Sequence, residues 1–354
     1  MSRFFSAQYD RLTPYVPGEQ PQDRKYLKLN TNESPFPPSK NAVKLAAEAA
    51  ENLQLYSDPA CMKLRTALGE TYGVTWDRVV VTNGSDEALY FAFSAWCDDT
   101  HPVMFPDITY GFYPVFADKL NLPYREVPLA DDLTIDPAPY FNNEAMVVIA
   151  NPNAPTGLLI PRQMIEELCE KNPDHIVVID EAYVDFGNES AVPLTYRYPN
   201  LAVIGTFSKS RSLAGGRLGY MIADPALIAD IETLRYSTNP YNVNSMTLAA
   251  GCGALLDAAY TRKNCETIVK NREALKAELK AMGFSVTDSR ANFVFAAHPG
   301  LPGPMLYEKL KARGILVRRF SKPRIEDYSR ITVGTAEQMA VLTDAIREIL
   351  SEAL

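Results

Sequence analysis

Runs of Val and Ile uninterrupted by polar residues recur through the middle of this chain, and no other feature limits its fold as tightly. They include Val79-Val80-Val81, Met146-Val147-Val148-Ile149, Ile176-Val177-Val178-Ile179 and Leu201-Ala202-Val203-Ile204. A strand exposed on one face alternates apolar with polar residues. A strand that is apolar throughout is covered on both faces, as in parallel sheets flanked by helices. Amphipathic segments separate the runs, the pattern of strands joined by crossover helices. Strands are read at 78–82, 101–105, 145–150, 175–180, 201–207 and 217–223, with helices from the 83–86 loop to about Trp96, at 110–120 and at 161–170. The reading is an α/β fold: an open, mostly parallel sheet with helices on both sides.

Beyond about residue 225 the texture changes. Helices are expected at 244–260 and 261–282, then short apolar runs at Asn292-Phe293-Val294-Phe295 and Ile315-Leu316-Val317 around a helix at 304–313. A strand at 330–335 and a closing helix at 336–354 complete a smaller α+β unit. The first 40 residues contain Pro14, Pro17, Pro21, Pro35, Pro37 and Pro38, which suits an extended arm tied down by another surface. A chain of 354 residues exceeds a typical single core. The expected division is an arm (1–40) reaching the small domain or a dimer interface, a large domain (41–255) and a small C-terminal domain (256–354).

A net charge of −8, from 35 Lys+Arg against 43 Asp+Glu, disfavours nucleic acid and anionic membranes as partners. No apolar stretch approaches the roughly 20 residues that span a bilayer, and the N-terminus lacks the apolar segment of a secretory signal. The expected location is the cytoplasm. Five cysteines, an odd number without C-x-x-C spacing, read as free thiols of a reducing compartment. His101, His175 and His298 are scattered, which poorly supplies either a metal site or a Ser-His-Asp hydrolase.

Open α/β sheets bind ligands beyond the carboxyl ends of their strands. There the sequence places Asn83-Gly84-Ser85-Asp86 at the start of a helix, where backbone amides and the helix dipole can meet a phosphate. By itself this stretch also reads as an Asn-Gly turn with a Ser/Asp cap. Later strands end in Asn151-Pro152-Asn153-Ala154-Pro155-Thr156-Gly157, in Asp180-Glu181 with Tyr183, and in Ser208-Lys209 ahead of Gly215-Gly216-Arg217. Residues 205–210 loosely match a nucleotide phosphate loop. That motif demands glycine where Ser208 stands, and a Cβ there obstructs the wrap around phosphates. The other reading is a Schiff-base lysine. A pyridoxal phosphate site needs a lysine amine, an acid for the ring nitrogen, donors for the phenolic oxygen and a phosphate cradle. Lys209, Asp180, Asn151 with Tyr183, and Gly84-Ser85 with Ser208 and Arg217 fill those roles.

With these motifs the chain resembles the fold-type I aminotransferases, and among them the histidinol-phosphate aminotransferase family. The resemblance is carried also by Pro14-Tyr15-Val16-Pro17-Gly18, Lys28-Leu29-Asn30-Thr31-Asn32-Glu33, Tyr56-Ser57-Asp58-Pro59, Pro106 with Tyr110, and Arg330-Ile331-Thr332-Val333-Gly334-Thr335, and it runs from about residue 12 to the C-terminus. It implies a large domain built on a mostly parallel seven-stranded sheet, pyridoxal 5'-phosphate as cofactor, and amino transfer between L-histidinol phosphate and 2-oxoglutarate/L-glutamate in histidine biosynthesis. Lys209 would form the Schiff base and carry the proton, with Asp180 on the ring nitrogen. Asn151 and Tyr183 would bond the phenolic oxygen, and Tyr110 would stack on the ring. Gly84, Ser85, the Asp86 backbone, Ser208 and Arg217 would hold the phosphate. Tyr56 would reach it from the neighbouring subunit of a homodimer. Arg318 and Arg330 would take the substrate anion, with Tyr15 and Asn32 closing that side. From sequence, Tyr110 also reads as a core aromatic and each arginine as an ion-pair partner.

Two departures bear on specificity: Ser210-Arg211-Ser212 replaces a small-plus-aromatic pair, and Arg319 follows Arg318 where the family often has proline. An aromatic amino acid aminotransferase or a phosphothreonine decarboxylase would use the same scaffold. A non-catalytic cofactor-binding regulator would bring a DNA-binding appendage or lose the lysine, and neither feature is seen.

Overall fold

The computed structural model describes residues 2–9 and 12–353. Met1, Asp10 and Arg11 of the arm, and Leu354 at the expected end of the closing helix, lie outside the described residues. The strands in chain order are β1 (Leu27–Leu29), β2 (Val79–Thr82), β3 (Val103–Pro106), β4 (Tyr124–Val127), β5 (Met146–Ala150), β6 (Val177–Asp180), β7 (Leu201–Thr206), β8 (Gly219–Ile222), β9 (Ser285–Val286), β10 (Phe293–Ala297), β11 (Ile315–Arg319) and β12 (Ser329–Thr332).

Seven of them form one sheet in the order β2-β8-β7-β6-β5-β3-β4. Strands β2, β5, β6 and β7 are buried at every position, as their unbroken apolar runs require. All pairings are parallel except those of β8, which runs against both β2 and β7. Its reversal brings its first residue, Gly219, level with Thr82 and Thr206, the last residues of its neighbours. The seventh strand, β4, escapes the apolar-run criterion because Tyr-Arg-Glu is exposed at this sheet edge and only Val127 is buried.

The second sheet has the order β1-β11-β12-β10-β9. Part of the arm therefore becomes a strand: β1 pairs in parallel with β11, Leu27 opposite Ile315. Two helices precede the large sheet, Lys40–Ala50, capped by the Ser39 hydroxyl, and Met62–Tyr72. The first packs so closely on Ser245–Leu256 that a Cβ on Gly253 would meet the Asn41 carbonyl oxygen at 2.4 Å. Pro225–Thr238 lies beside the large sheet and Ala258–Ala281 beside the small one. The helix expected from residue 110 begins at Tyr113, with Pro114 in its first turn, which leaves Tyr110 in the preceding loop. Ala154 and Tyr183, from loops of the large sheet, pack into the apolar cluster beside the second sheet, around Phe186, Phe293 and Leu279. Among the described residues no helix is long and apolar enough to cross a membrane.

Candidate active site

Four chain segments leave the same edge of the large sheet and converge. The Ser85–Trp96 helix starts three residues beyond Thr82, Asp180 ends β6, Lys209 follows β7 by three residues, and Arg217 precedes β8 by two. Together they wall the inner of two adjoining cavities of about 430 Å³ each, which share Thr31, Tyr110, Ala154, Tyr183 and Lys209. A larger cavity of about 570 Å³, beside Arg211 and the Ala258–Ala281 helix, contains neither Lys209 nor Asp180.

In the inner cavity Lys209 Nζ donates to the Thr31 carbonyl at 3.2 Å. Burial, with the Arg330 guanidinium nearby, lowers its ammonium to about 8, so a neutral amine is accessible near physiological pH. Asp180 is 4% exposed and accepts from the Tyr113 hydroxyl at 2.9 Å and the Ala182 amide at 3.2 Å. Burial raises its carboxyl to about 6, the mark of an acid short of a cationic partner. Just behind the opposite wall, before Ser85, Gly84 adopts φ +79° and gives the helix no side-chain cap, so its first amides are open to an incoming anion. A Cβ on Gly219 would strike the Gly84 carbonyl carbon and the Ser85 nitrogen at 2.4 Å, so this approach of backbones requires glycine. Arg217 sits over Gly84, bonded to Asp86 at 3.0 Å and to the Ser208 hydroxyl at 3.4 Å. Tyr110 also donates to Asp86, at 2.8 Å, and its ring stands edge-on to Tyr113.

The outer cavity holds Arg318 and Arg330, directly opposite each other on β11 and β12. Like charges in that register repel unless an anion lies between them. Arg330 Nη2 donates to the Asn30 carbonyl at 3.1 Å, and its buried Nε has no partner. Arg318 Nη2 donates to the Val16 carbonyl at 3.0 Å. Tyr15 lines this cavity with its ring packed on Phe112. Asn32 is there too, but each of its polar groups is bonded within the protein.

Three expected residues do not line these walls: Gly84, which lies just behind Ser85 beneath the Arg217 guanidinium, Asn151 and Tyr56. The Asn151 side chain closes its own loop, accepting from the Ile160 amide at 2.9 Å and donating to the Ile160 carbonyl at 3.4 Å. A donor role toward a phenolic oxygen is therefore corrected, because this amide faces Ile160 and lines neither cavity, and Ala154 is the loop residue that faces them. Tyr56 is 83% exposed, stacked on Tyr241, and touches neither cavity of its own chain. The unusual Ser210-Arg211 pair turns away from the site: both side chains bond the Asp185 carboxylate, Arg211 at 2.8 Å. Strand alternation sends Arg319 away from the cavity that Arg318 lines. Thr31, Tyr113 and Thr332 were not anticipated. None carries a charge or belongs to a turn motif, so only folding reveals that they contact site residues.

The sequence profile described as "Aminotransferase class I and II" matches residues 24–346, and the chain belongs to that family. A histidinol-phosphate aminotransferase of a Marinomonas species is 48% identical over 353 residues, covering 99% of this chain and all of that one. Histidinol-phosphate aminotransferase 1 of Bradyrhizobium diazoefficiens is 46% identical at the same coverage. At the level of the fold, the histidinol-phosphate aminotransferase of Sinorhizobium meliloti, crystallised with pyridoxal-5'-phosphate, superimposes with a TM-score of 0.91 over 100% of this chain and 99% of its own, at 23% identity. Within the class I and II aminotransferases the chain groups with the histidinol-phosphate branch, as its motifs suggest.

The residues of the inner cavity fit a planar aromatic group with a cationic ring nitrogen and a phosphate ester. Asp180 is a buried carboxylate with an open side, and the helix start with Arg217 and Ser208 is an anion cradle that a Cβ on Gly84 would crowd, meeting the Arg217 guanidinium at 2.6 Å.

Proposed function

We propose that this enzyme is a pyridoxal phosphate-dependent aminotransferase that exchanges an amino group between L-histidinol phosphate and 2-oxoglutarate, forming L-glutamate, a step of histidine biosynthesis. The observation that carries the chemistry is a buried lysine lowered to about 8 in one cavity with a buried, underpaired Asp180. Bound pyridoxal phosphate supplies a carbonyl carbon that captures the amine and an electron-poor ring that draws electrons from its Cα–H bond.

The protein does the rest. Ser85, the Asp86 amide, Ser208 and Arg217 hold the phosphate ester, Arg217 leaving Asp86 to do so. Asp180 holds a proton on the ring nitrogen, and Tyr183 donates to the phenolic oxygen. Tyr110 covers the ring face. Lys209 Nζ takes the proton from the donor's Cα and returns it on the same face, a transfer its lowered pKa favours. Arg318 and Arg330 bind the terminal phosphate of one substrate and a carboxylate of the other, which alternate in one site, and Tyr15 closes that side. Tyr56 extends from a partner subunit to the neighbour's cofactor phosphate, so the working unit is a homodimer in the cytoplasm. The 1–40, 41–255 and 256–354 division belongs to the same reading: arm and small domain carry the anion-binding residues, and the large domain carries the cofactor's.

The test is glutamate formation from 2-oxoglutarate with histidinol phosphate as donor, alongside aromatic amino acids and phosphothreonine. Turnover should be fastest with histidinol phosphate. Faster turnover with an aromatic amino acid, or carbon dioxide release from phosphothreonine, would reassign the substrate on the same scaffold.

A further inference from the structure

Asn32 lies just past β1, 1% exposed, with the left-handed backbone φ of +56° that asparagine tolerates. Its N–H donates to Thr332 Oγ1 at 2.9 Å, and its carbonyl accepts from Asn292 Nδ2 at 2.9 Å. The Thr332 hydroxyl donates to Asn32 Oδ1 at 3.1 Å, and Asn32 Nδ2 donates to the Tyr183 hydroxyl oxygen at 2.9 Å. This donor order satisfies every group: Thr332 Oγ1 receives the Asn32 N–H and gives its single proton to Oδ1, and Nδ2 faces Tyr183. A tyrosine oxygen that accepts there has its own proton free for another acceptor, and Tyr183 lines both cavities beside Lys209.

We propose that Thr332 and Asn32 are positioning residues that commit the Tyr183 hydroxyl proton to the phenolic oxygen of the bound cofactor. The inference rests on the pyridoxal phosphate reading of the site. No amide of the 151–157 loop shares the task. Asn151 faces Ile160 and lines neither cavity, Asn153 donates to the Ile108 carbonyl and Thr156, and the Ala154 side chain has no donor to offer. Asn32 therefore acts through Tyr183 rather than on substrate. Strand β12, which carries Thr332, also carries Arg330, whose Nη2 holds the Asn30 carbonyl. The strand that meets the substrate anion thus grips the short segment that orients Tyr183.

Thr332→Val keeps the shape of the side chain and removes its hydroxyl. The Asn32 amide is then free to turn Oδ1 toward Tyr183 and take its proton from the cavity. That proton competes with the one held on the nitrogen joining Lys209 to the cofactor. Without it, this nitrogen keeps its proton to higher pH. The charged groups facing Lys209 and Tyr183 are Glu33, Asp86, Asp180, Arg217 and Arg330, and the substitution alters none of them.

The experiment is a pH titration of the visible absorption of the substrate-free holoenzyme. Thr332→Val should move the midpoint up by about one unit, the size of one charge-assisted hydrogen bond, while Thr332→Ser stays at the wild-type midpoint. Tyr183→Phe should shift it at least as far, and adding Thr332→Val to Tyr183→Phe should shift it no further. An unchanged midpoint in Thr332→Val, or additive shifts in the double variant, would overturn the proposal. Should Thr332→Val not fold, Thr332→Ala, which also removes the hydroxyl without adding a charge, must show the same rise. Wild-type protein without a visible band after reconstitution would instead bring down the cofactor reading, and this inference with it.

Discussion

Lys209 and Asp180 are unfavourable residues to bury, and their cost is informative. A buried lysine gives up hydration, which is why its ammonium falls to about 8. A buried aspartate does the opposite and rises to about 6. The raised carboxyl has a sign for stability: its contribution is present below the unfolded value and lost as pH rises through about 6. Asp180→Ala should therefore leave the apoprotein at least as stable at pH 7.5, measured by thermal unfolding. The same variant should lose roughly 100-fold or more in kcat, because the ring nitrogen loses the ion that keeps it protonated. Full activity would show that another group holds that proton. Arg330→Gln should raise KM for both substrates and lower kcat/KM by roughly 10–100-fold, one charge-assisted bond to a shared anion site. An effect on only one substrate would divide the arginines between them.

At the scale of elements, the contact between β8 and the start of the Ser85–Trp96 helix matters most. Gly219→Ala places a methyl 2.4 Å from backbone atoms of Gly84 and Ser85, which no side-chain rotation can relieve. It should cost about 1–3 kcal/mol in thermal or denaturant unfolding and weaken cofactor retention on gel filtration. Unchanged retention would place the phosphate elsewhere. The sheet and most of the site were legible because unbroken Val/Ile runs and motif residues sit at strand ends, where topology alone brings them together. The edge strand β4 was not, since Tyr124, Arg125 and Glu126 read as surface chain. Asn151 was misread for a different reason. Composition shows an amide in the loop but not that Ile160 folds back onto it, nor that Ala154 faces the cavity. Thr332 is 300 residues from Asn32 in sequence, and only the small sheet, in which β11 lies between β1 and β12, brings the two together.

The whole molecule adds an acid that takes no part in the proposed chemistry. Glu181 follows β6 and is bonded to the Ala191 amide and the Ser190 hydroxyl, and burial raises it to about 8. The stability it contributes is present below its unfolded value of 4.5 and is lost as pH rises toward about 8. The limiting slope is about 1.4 kcal/mol per pH unit. Thermal unfolding from pH 5 to 9 should thus favour Glu181→Gln over wild type increasingly with pH, whereas a constant difference would show that Glu181 ionises freely. The proposed homodimer predicts sedimentation at twice 39.3 kDa, with Tyr56→Ala weakening cofactor retention; a monomer that retains cofactor would remove Tyr56 from the site. The most direct measurement is the visible spectrum of the purified, cofactor-loaded protein before and after L-histidinol phosphate. The account predicts a visible band that bleaches on adding the phosphate amine and returns with 2-oxoglutarate. A band indifferent to histidinol phosphate but bleached by an aromatic amino acid would contradict the substrate, and protein that stays colourless with pyridoxal phosphate would contradict the account as a whole.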